Sequence, residues 1–353
     1  MRKQALRRLV TLTVLIVLGA AAGTLRAQQQ LPLSSTATAS VITCGPGNEF
    51  YLAFGHSAIR ITDTARGIDL AYNYGTFDFD TPHFYWKFAR GMLNYCLSRS
   101  RFDHFMNTYG YERRAVWEQR LDLTPQEVSN LYLMLEWNYQ PGNRYYQYDF
   151  FRDNCATRVR DMVESTCGKQ EVEYGDWKPE SYRCYVHRSA GSTQQWWVLG
   201  VDLLLGLPAD HRCSGRDAMF HPMLMMQQYA TAVRGSQPLM ADSHQWLSDH
   251  REPLHRSFPP LVVFSLLFVA VSLLSWKHLW PRWADRILFV LAGIVGLVLC
   301  FMWFGTDHWC TKWNLNILWS SPLLILIAIR HKKSPLWGLW LQEGCFALAA
   351  ASA

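Results

Sequence analysis

One cysteine in the sequence stands where the start of a helix would make its thiol reactive. Residues 149–157 read DFFRDNCAT, so Cys155 directly follows two good helix-capping residues, Asp153 and Asn154. Free backbone N–H groups and the positive end of the helix dipole stabilise a thiolate there, and Arg158 would act in the same direction. We therefore expect a lowered thiol pKa and a nucleophilic Cys155. The alternative is a buried cysteine that only packs.

A thiol nucleophile needs a base, and His56 is the candidate. It begins the alternating run HSAIRIT (56–62), which is typical of a strand. A histidine on a strand that faces a cysteine on a helix is the arrangement of papain-like thiol enzymes. A third, orienting group would come from the neighbouring strand: Asn73 is the first candidate, and Asp69 and Asp78 are alternatives. The competing interpretation of His56 is a structural histidine.

The elements that must position these groups are a mixture of strands and helices, which predicts an α+β domain. Thr124-Pro125-Gln126-Glu127 has the residues of a capped helix start, and Pro141-Gly142 ends that element. The predicted strands are 56–62, 69–74 and 116–123, and the other predicted helices are 153–166 and 217–233. Residues 41–44 form a short apolar run that the turn signal Gly45-Pro46-Gly47 ends.

Other chemistries fit the sequence less well. It contains no G-x-S-x-G elbow, P-loop, dinucleotide fingerprint, C-x-x-C or H-E-x-x-H motif, so we predict neither a cofactor nor a metal site. The net charge of +6 includes no run of like charge, which argues against a nucleic-acid partner. Among the exported cysteines, Cys167 and Cys184 are the most plausible disulfide pair.

The N-terminus predicts export. Basic residues precede an apolar stretch at 9–22, so 1–27 is either a cleaved signal peptide or an N-terminal anchor. The polar segment 28–40 is predicted to be a linker. We expect the catalytic domain at 41–235 and a juxtamembrane segment at 236–257.

The last part of the chain, 258–353, is predicted to form three transmembrane helices, with a fourth at 336–353 left open. Lys and Arg concentrate in the connectors before 287 and after 329, which positive-inside logic assigns to the cytoplasm. The large domain therefore faces outward. The outward connector holds several tryptophans, typical of an interfacial belt, and also His308 and Asn314, which we consider candidates for contact with a lipid head group.

Four stretches carry a resemblance to a known family: FGHSAIRI (54–61), YNYGTFDFDTP (72–82), YDFFRDNCATRVRD (148–161) and GVDLLLGLPAD (200–210). With the span arrangement and the segment NLNILW (314–319), they resemble the Lnb-type lipoprotein N-acyltransferases. The resemblance implies a circularly permuted, NlpC-like papain-type domain, in which the histidine strand precedes the cysteine helix. It supports Cys155 and His56 as the catalytic pair. Supporting or substrate-binding roles are predicted for Tyr74, Asp153, Asn154 and Arg158.

The resemblance also implies a reaction at the bacterial inner membrane, with the catalytic domain in the periplasm. Cys155 would take an acyl chain from a membrane phospholipid as a thioester and pass it to the α-amine of a diacylglyceryl-cysteine lipoprotein. Two other functions stay open at this stage. One is a cysteine amidase or peptidase that acts on peptidoglycan, and the other is a non-catalytic membrane scaffold.

Overall fold

An antiparallel sheet of seven strands forms the centre of the large domain in the computed structural model, which describes residues 33–190, 194–252 and 258–330. The strand order is β10-β5-β1-β2-β3-β4-β6, and β7, β8 and β9 form a small second sheet. The strands are β1 (Thr38–Cys44), β2 (His56–Asp63), β3 (Ile68–Thr76), β4 (Asn94–Arg101), β5 (Val116–Leu121), β6 (Tyr145–Gln147), β7 (Val172–Glu173), β8 (Val233–Arg234), β9 (Gln237–Pro238) and β10 (Met240–Leu247).

Eleven α-helices lie within the described ranges, and most of them surround the main sheet. The second longest helix of the large domain, α4, begins at Cys155. They are α1 (Phe84–Arg90), α2 (Phe102–Tyr111), α3 (Pro125–Tyr139), α4 (Cys155–Cys167), α5 (Tyr182–Ala190), α6 (Gln195–Leu204), α7 (Gly215–Ala218), α8 (Pro222–Thr231), α9 (Pro260–Trp276), α10 (Arg282–Phe304) and α11 (Leu323–Arg330).

The sheet is covered on both faces. Along β2 and β3, apolar side chains point alternately to the two faces and are buried on each of them. Ile59 pairs with Tyr72, and both pack against α3 and α4 in the larger core. The opposite face presents Ala58 and Ala71 to α2. Successive side chains in a strand point to opposite faces, so this burial fixes the register of β2 against β3. The mixed α+β class predicted from the sequence is confirmed.

Several predicted elements lie close to their expected positions. The helix after Thr124 has the full capping box, in which Glu127 N–H donates to Thr124 Oγ1 and the Glu127 carboxylate accepts from Thr124 N–H. The predicted helix 217–233 is instead two helices, α7 and α8. Pro222 begins the second one, because proline lacks an N–H and fits the first helical turn.

Two predicted boundaries differ from the structure. Residues 38–40, assigned to the linker, already belong to β1, where Ala39 and Ser40 are buried beside β2. Residues 240–247, assigned to the juxtamembrane segment, form β10 and pair with β5. This strand is half polar and mostly exposed, so its composition did not predict that it would pair with β5 at the edge of the sheet.

The apolar C-terminal part is helical. Among the described residues, one helix, Trp283–Phe304, is long and apolar enough to cross a membrane, and Pro260–Trp276 is shorter. The predicted third span is interrupted: a 3-10 turn at Leu315–Leu318 is followed, after Pro322, by α11. The predicted fourth span at 336–353 and the N-terminal segment 1–27 lie outside the described residues.

The cysteines of the described residues are all free, which contradicts the predicted Cys167–Cys184 pair. Cys167 is buried at the end of α4, where it packs in the larger core, whereas Cys184 is exposed on α5. The two cysteines are close in sequence but lie in different surroundings.

Candidate active site

Asn154 fixes the start of α4 and hence the position of the cysteine that follows it. Its Oδ1 accepts the N–H of Thr157 at 2.9 Å, while Thr157 Oγ1 accepts the N–H of Asn154 at 2.7 Å. The amide Nδ2 also donates to the carbonyls of Phe150 and Phe220, each at 2.8 Å. All polar atoms of this buried side chain are thus engaged, so Asn154 holds the helix start and is not free to bind substrate.

The loop before α4 is closed by its two aspartates. Asp149 and Asp153 exchange backbone hydrogen bonds, and Asp149 Oδ1 accepts the N–H groups of Phe151 and Arg152. Asp153 forms a two-point ion pair with Arg158 at 2.6 and 2.7 Å. The guanidinium of Arg158 is therefore committed to Asp153.

His56 and Asn73 contact each other across the junction of β2 and β3. The imidazole Nε2 hydrogen-bonds Asn73 Oδ1. An amide oxygen only accepts, so Nε2 carries the proton and Nδ1 is left as the basic nitrogen. The alternative partners are engaged elsewhere or exposed: Asp69 pairs with Arg60, and Asp78 lies at the surface.

Gly75 shows that the thiol and the imidazole border the same space. A Cβ built at this glycine would lie 3.5 Å from Cys155 Cβ, 3.7 Å from Tyr148 Cε2 and 4.0 Å from His56 Cε1. Its φ of +88° belongs to the region that glycine tolerates, and the register of β3 against β4 shifts here. The structure thus brings together three residues singled out from the sequence: Cys155, His56 and Asn73.

Burial sets the resting protonation of this pair. It raises the pKa of the Cys155 thiol to about 11, although the backbone N–H groups of Ser57, Ala156 and Cys155 itself act in the opposite direction. Burial also lowers the pKa of His56 to about 4, although the hydrogen bond that His56 donates to Asn73 acts in the opposite direction. The sequence predicted a lowered thiol pKa, and this is wrong for the resting site, because loss of water outweighs the helix terminus.

Two residues beside the site gave no clear signal in the sequence. Tyr148 lies against Gly75 and stacks on Tyr95 with ring centroids 4.3 Å apart. Arg114 is buried, donates from Nε to the carbonyl of Gly45 at 2.8 Å, and leaves Nη2 without a partner among the described residues. Its charge also lowers the pKa of both Cys155 and His56. Only tertiary proximity connects Arg114 to the cysteine.

Tyr74 lies in the same buried core as Cys155. Its ring belongs to the core, its hydroxyl accepts from Asn138 Nδ2 at 2.7 Å, and burial raises the pKa of that hydroxyl to about 12. It supports the sheet from the side opposite to Asn73, as the alternation along β3 requires.

The connector after α10 docks onto the domain, and Trp309 reaches the cysteine loop. Its indole Nε1 donates to Asp149 Oδ1 at 3.0 Å, and the Arg152 guanidinium lies 3.5 Å above its ring. His308 and Asn314 lie in the same connector and contact other parts of the domain. His308 Nε2 donates to the carbonyl of Phe88 at 3.3 Å. Asn314 is buried and donates to the carbonyl of Leu203 at 2.7 Å. Both join the membrane part to the domain.

The part of the chain that the structure describes has no group of three or more His, Cys, Asp or Glu side chains that could hold a metal ion. The side chains at the site offer instead a thiol, an imidazole and an amide. Together they can transfer a proton and form a covalent bond to carbon.

The fold and its attachment define the class: a membrane protein with a mixed α+β domain outside the bilayer. The chain belongs to the Lnb family, because the family model of the Lnb N-terminal periplasmic domain matches residues 25–184 and that of the Lnb transmembrane domain matches residues 252–349. The predicted family is thereby confirmed, and the large domain is periplasmic. Membership suggests an enzyme of the acyltransferase type. No curated protein and no solved structure matches the chain significantly.

Proposed function

We propose that this protein is a lipoprotein N-acyltransferase of the bacterial inner membrane, with Cys155 as nucleophile, His56 as base and Asn73 as the orienting residue. The observation that carries the proposal is the meeting of the Cys155 and His56 side chains around Gly75 in a chain of the Lnb family. We also propose a circularly permuted papain-like domain, since the histidine strand precedes the cysteine helix and both abut one antiparallel sheet.

The first half of the reaction loads the enzyme. His56 Nδ1 takes the thiol proton as the Cys155 sulfur attacks an ester carbonyl of a membrane phospholipid, because neither group is charged at rest. A C–S bond forms, the ester C–O bond breaks, and the imidazolium returns its proton to the leaving lysophospholipid. Backbone N–H groups of Ser57 and Ala156, which face the sulfur, are suited to stabilise the oxyanion.

The second half of the reaction transfers the acyl chain from Cys155 to the lipoprotein. The α-amine of a diacylglyceryl-cysteine lipoprotein attacks the thioester, a C–N bond forms, and the C–S bond breaks. His56 accepts the amine proton and returns it to the thiolate of Cys155, so the enzyme is regenerated without any outside reactant. Asn73 stabilises each transient imidazolium, because its Oδ1 accepts the Nε2–H.

The attachment to the membrane supports lipid substrates on both sides of the reaction. Trp309 of the outward connector hydrogen-bonds the loop that precedes Cys155, so the nucleophile lies next to the membrane-spanning part. A water-soluble substrate would give no reason for this contact. The phospholipid donor and the lipidated acceptor both reside in the outer leaflet that the connector adjoins.

The test is intact-mass analysis of a model lipoprotein isolated from a strain that lacks N-acyltransferase activity and expresses this chain. We expect a gain of one acyl chain on the N-terminal cysteine with the native protein and no gain with Cys155→Ala. Cys184→Ala is the matched control, since that thiol is exposed on α5, and it should behave as the native protein. If the folded native protein adds no acyl chain but cleaves muropeptides, the proposal is wrong and an amidase replaces it.

A further inference from the structure

A group of exposed aromatic side chains lies on and beside α1. This aromatic ridge consists of Phe79, Tyr85, Trp86 and Phe88; Tyr85 is 81% exposed and Phe79 is 63% exposed. Large aromatic side chains exposed side by side on a periplasmic domain are unfavourable in water. They therefore mark a surface that something else covers.

The position of the ridge indicates what covers it. Trp86 stacks on Phe301 of α10, with ring centroids 5.5 Å apart. Arg90, at the end of α1, donates from Nε to the carbonyl of Gly305 at 3.1 Å, and its backbone carbonyl accepts the N–H of Asp307 at 2.9 Å. The ridge is thus fixed to the outward end of the one described helix long enough to span a membrane. At that level the surrounding medium is the interface between lipid head groups and acyl chains.

A continuous row of rings connects the ridge with the candidate active site. Phe79 contacts Phe77 at 4.9 Å between centroids, Phe77 contacts Tyr95 at 5.2 Å, and Tyr95 stacks on Tyr148 at 4.3 Å. Tyr148 in turn borders Gly75, where Cys155 lies. Exposure falls along this row, from 63% at Phe79 to 8% at Tyr95. The row therefore joins the exposed ridge to the buried thiol through apolar contacts.

We propose that the aromatic ridge inserts into the outer leaflet, and that the row Phe77–Tyr95–Tyr148 guides one acyl chain of a membrane phospholipid from the ridge to Cys155. The first half depends only on the ridge and its contacts with α10. The second half rests on the proposed acyltransferase function and identifies its acyl-binding surface. Phe77 and Tyr95 are therefore determinants of acyl-chain length.

Insertion is tested by photocrosslinking in proteoliposomes of phosphatidylethanolamine and phosphatidylglycerol, with the full-length chain. Tyr85→p-benzoylphenylalanine places the probe on the ridge. Ala65→p-benzoylphenylalanine is the matched control: this exposed residue lies in the hairpin after β2, about 25 Å along that strand from His56. We expect a mass gain of one phospholipid at position 85 at least about tenfold above that at position 65, as expected for a side chain held among lipids. Equal yields would overturn insertion.

The acyl route is tested by the release of p-nitrophenolate as Cys155 is acylated by p-nitrophenyl acetate or p-nitrophenyl dodecanoate. Phe77→Ala should lower the dodecanoate rate relative to the acetate rate about tenfold, whereas Met106→Ala, on the other face of the sheet, should leave the ratio unchanged. The ratio is independent of the amount of folded protein. An unchanged ratio in Phe77→Ala would overturn the route. Crosslinking and chain-length preference without any acylation of a lipoprotein would refute the proposed function. The same result would still support the ridge as a membrane-inserted, acyl-binding surface.

Discussion

The protonation state of Cys155 leads to a prediction about its reactivity toward iodoacetamide. Burial raises the pKa of this thiol from 9.0 to about 11. Only the thiolate reacts, so at pH 8 the reactive fraction is about 100-fold smaller than for an ordinary thiol of pKa 9.0, by the two-unit difference. The alkylation rate of Cys155 should therefore keep rising about tenfold per pH unit from pH 7 to pH 9.5, where an unperturbed thiol already levels off.

The assay compares two cysteines of the same molecule. The full-length protein in detergent is pulsed with iodoacetamide at each pH, quenched and digested, and the alkylated peptides with Cys155 and Cys184 are quantified by mass spectrometry. Cys184 is exposed, so its alkylation rate shows how the reagent itself responds to the change of pH. The shape of the pH profile is the readout, because limited access to a buried sulfur lowers the rate by the same factor at every pH.

One result would refute this reasoning. If alkylation of Cys155 reached a plateau below pH 8, a thiolate would be present at rest, and the helix terminus would outweigh burial. His56→Ala separates the contributions: with a His56 pKa near 4, the imidazole is neutral at pH 7 to 9.5, so its removal should leave the rise in alkylation rate with pH unchanged. A plateau below pH 8 in the native protein that disappeared in this variant would indicate a resting thiolate–imidazolium pair instead.

Three further substitutions test the surroundings of the site. Asn73→Ala removes the hydrogen bond to His56 Nε2 and should slow lipoprotein acylation about 10- to 100-fold, since a hydrogen bond to a charged group contributes about 1.5–3 kcal/mol. Gly75→Ala should lower the free energy of unfolding by about 1–2 kcal/mol, measured by thermal unfolding, because its φ is +88°. Trp309→Phe keeps a ring but removes the donor to Asp149, and should slow acylation about 3- to 10-fold, in line with a net hydrogen bond of about 1 kcal/mol.

The glycine and tryptophan variants each have a matched control. Gly67→Ala introduces a similar strain at φ +66° in a hairpin with open space around it, so it should cost comparable stability without changing acylation per folded molecule. Trp313→Phe alters an exposed tryptophan of the same connector and should leave acylation unchanged. An Asn73→Ala protein with the native rate would exclude an orienting role for that amide. Equal effects of the two tryptophan variants would mean that the contact with Asp149 is irrelevant.

Much of the framework around the site could be read from local sequence. The alternation after His56 and after Asp69 predicted β2 and β3, and the strand beside β2 was expected to bring Asn73 close to the histidine. Asp153 and Asn154 marked the start of the cysteine helix, where the structure has a capping box. These features depend on residues within a few positions of one another, so short-range periodicity and capping were enough to reveal them.

The sequence alone therefore determined which groups could react and which elements bear them. Only the tertiary structure decided their protonation, through burial of Cys155 and His56, and the contact of Trp309 with Asp149, 160 positions away in the chain. It also placed β10 at the sheet edge and Tyr148 beside the thiol. Desolvation and long-range contacts sum over side chains that the fold brings together from distant segments, and no local pattern encodes that sum.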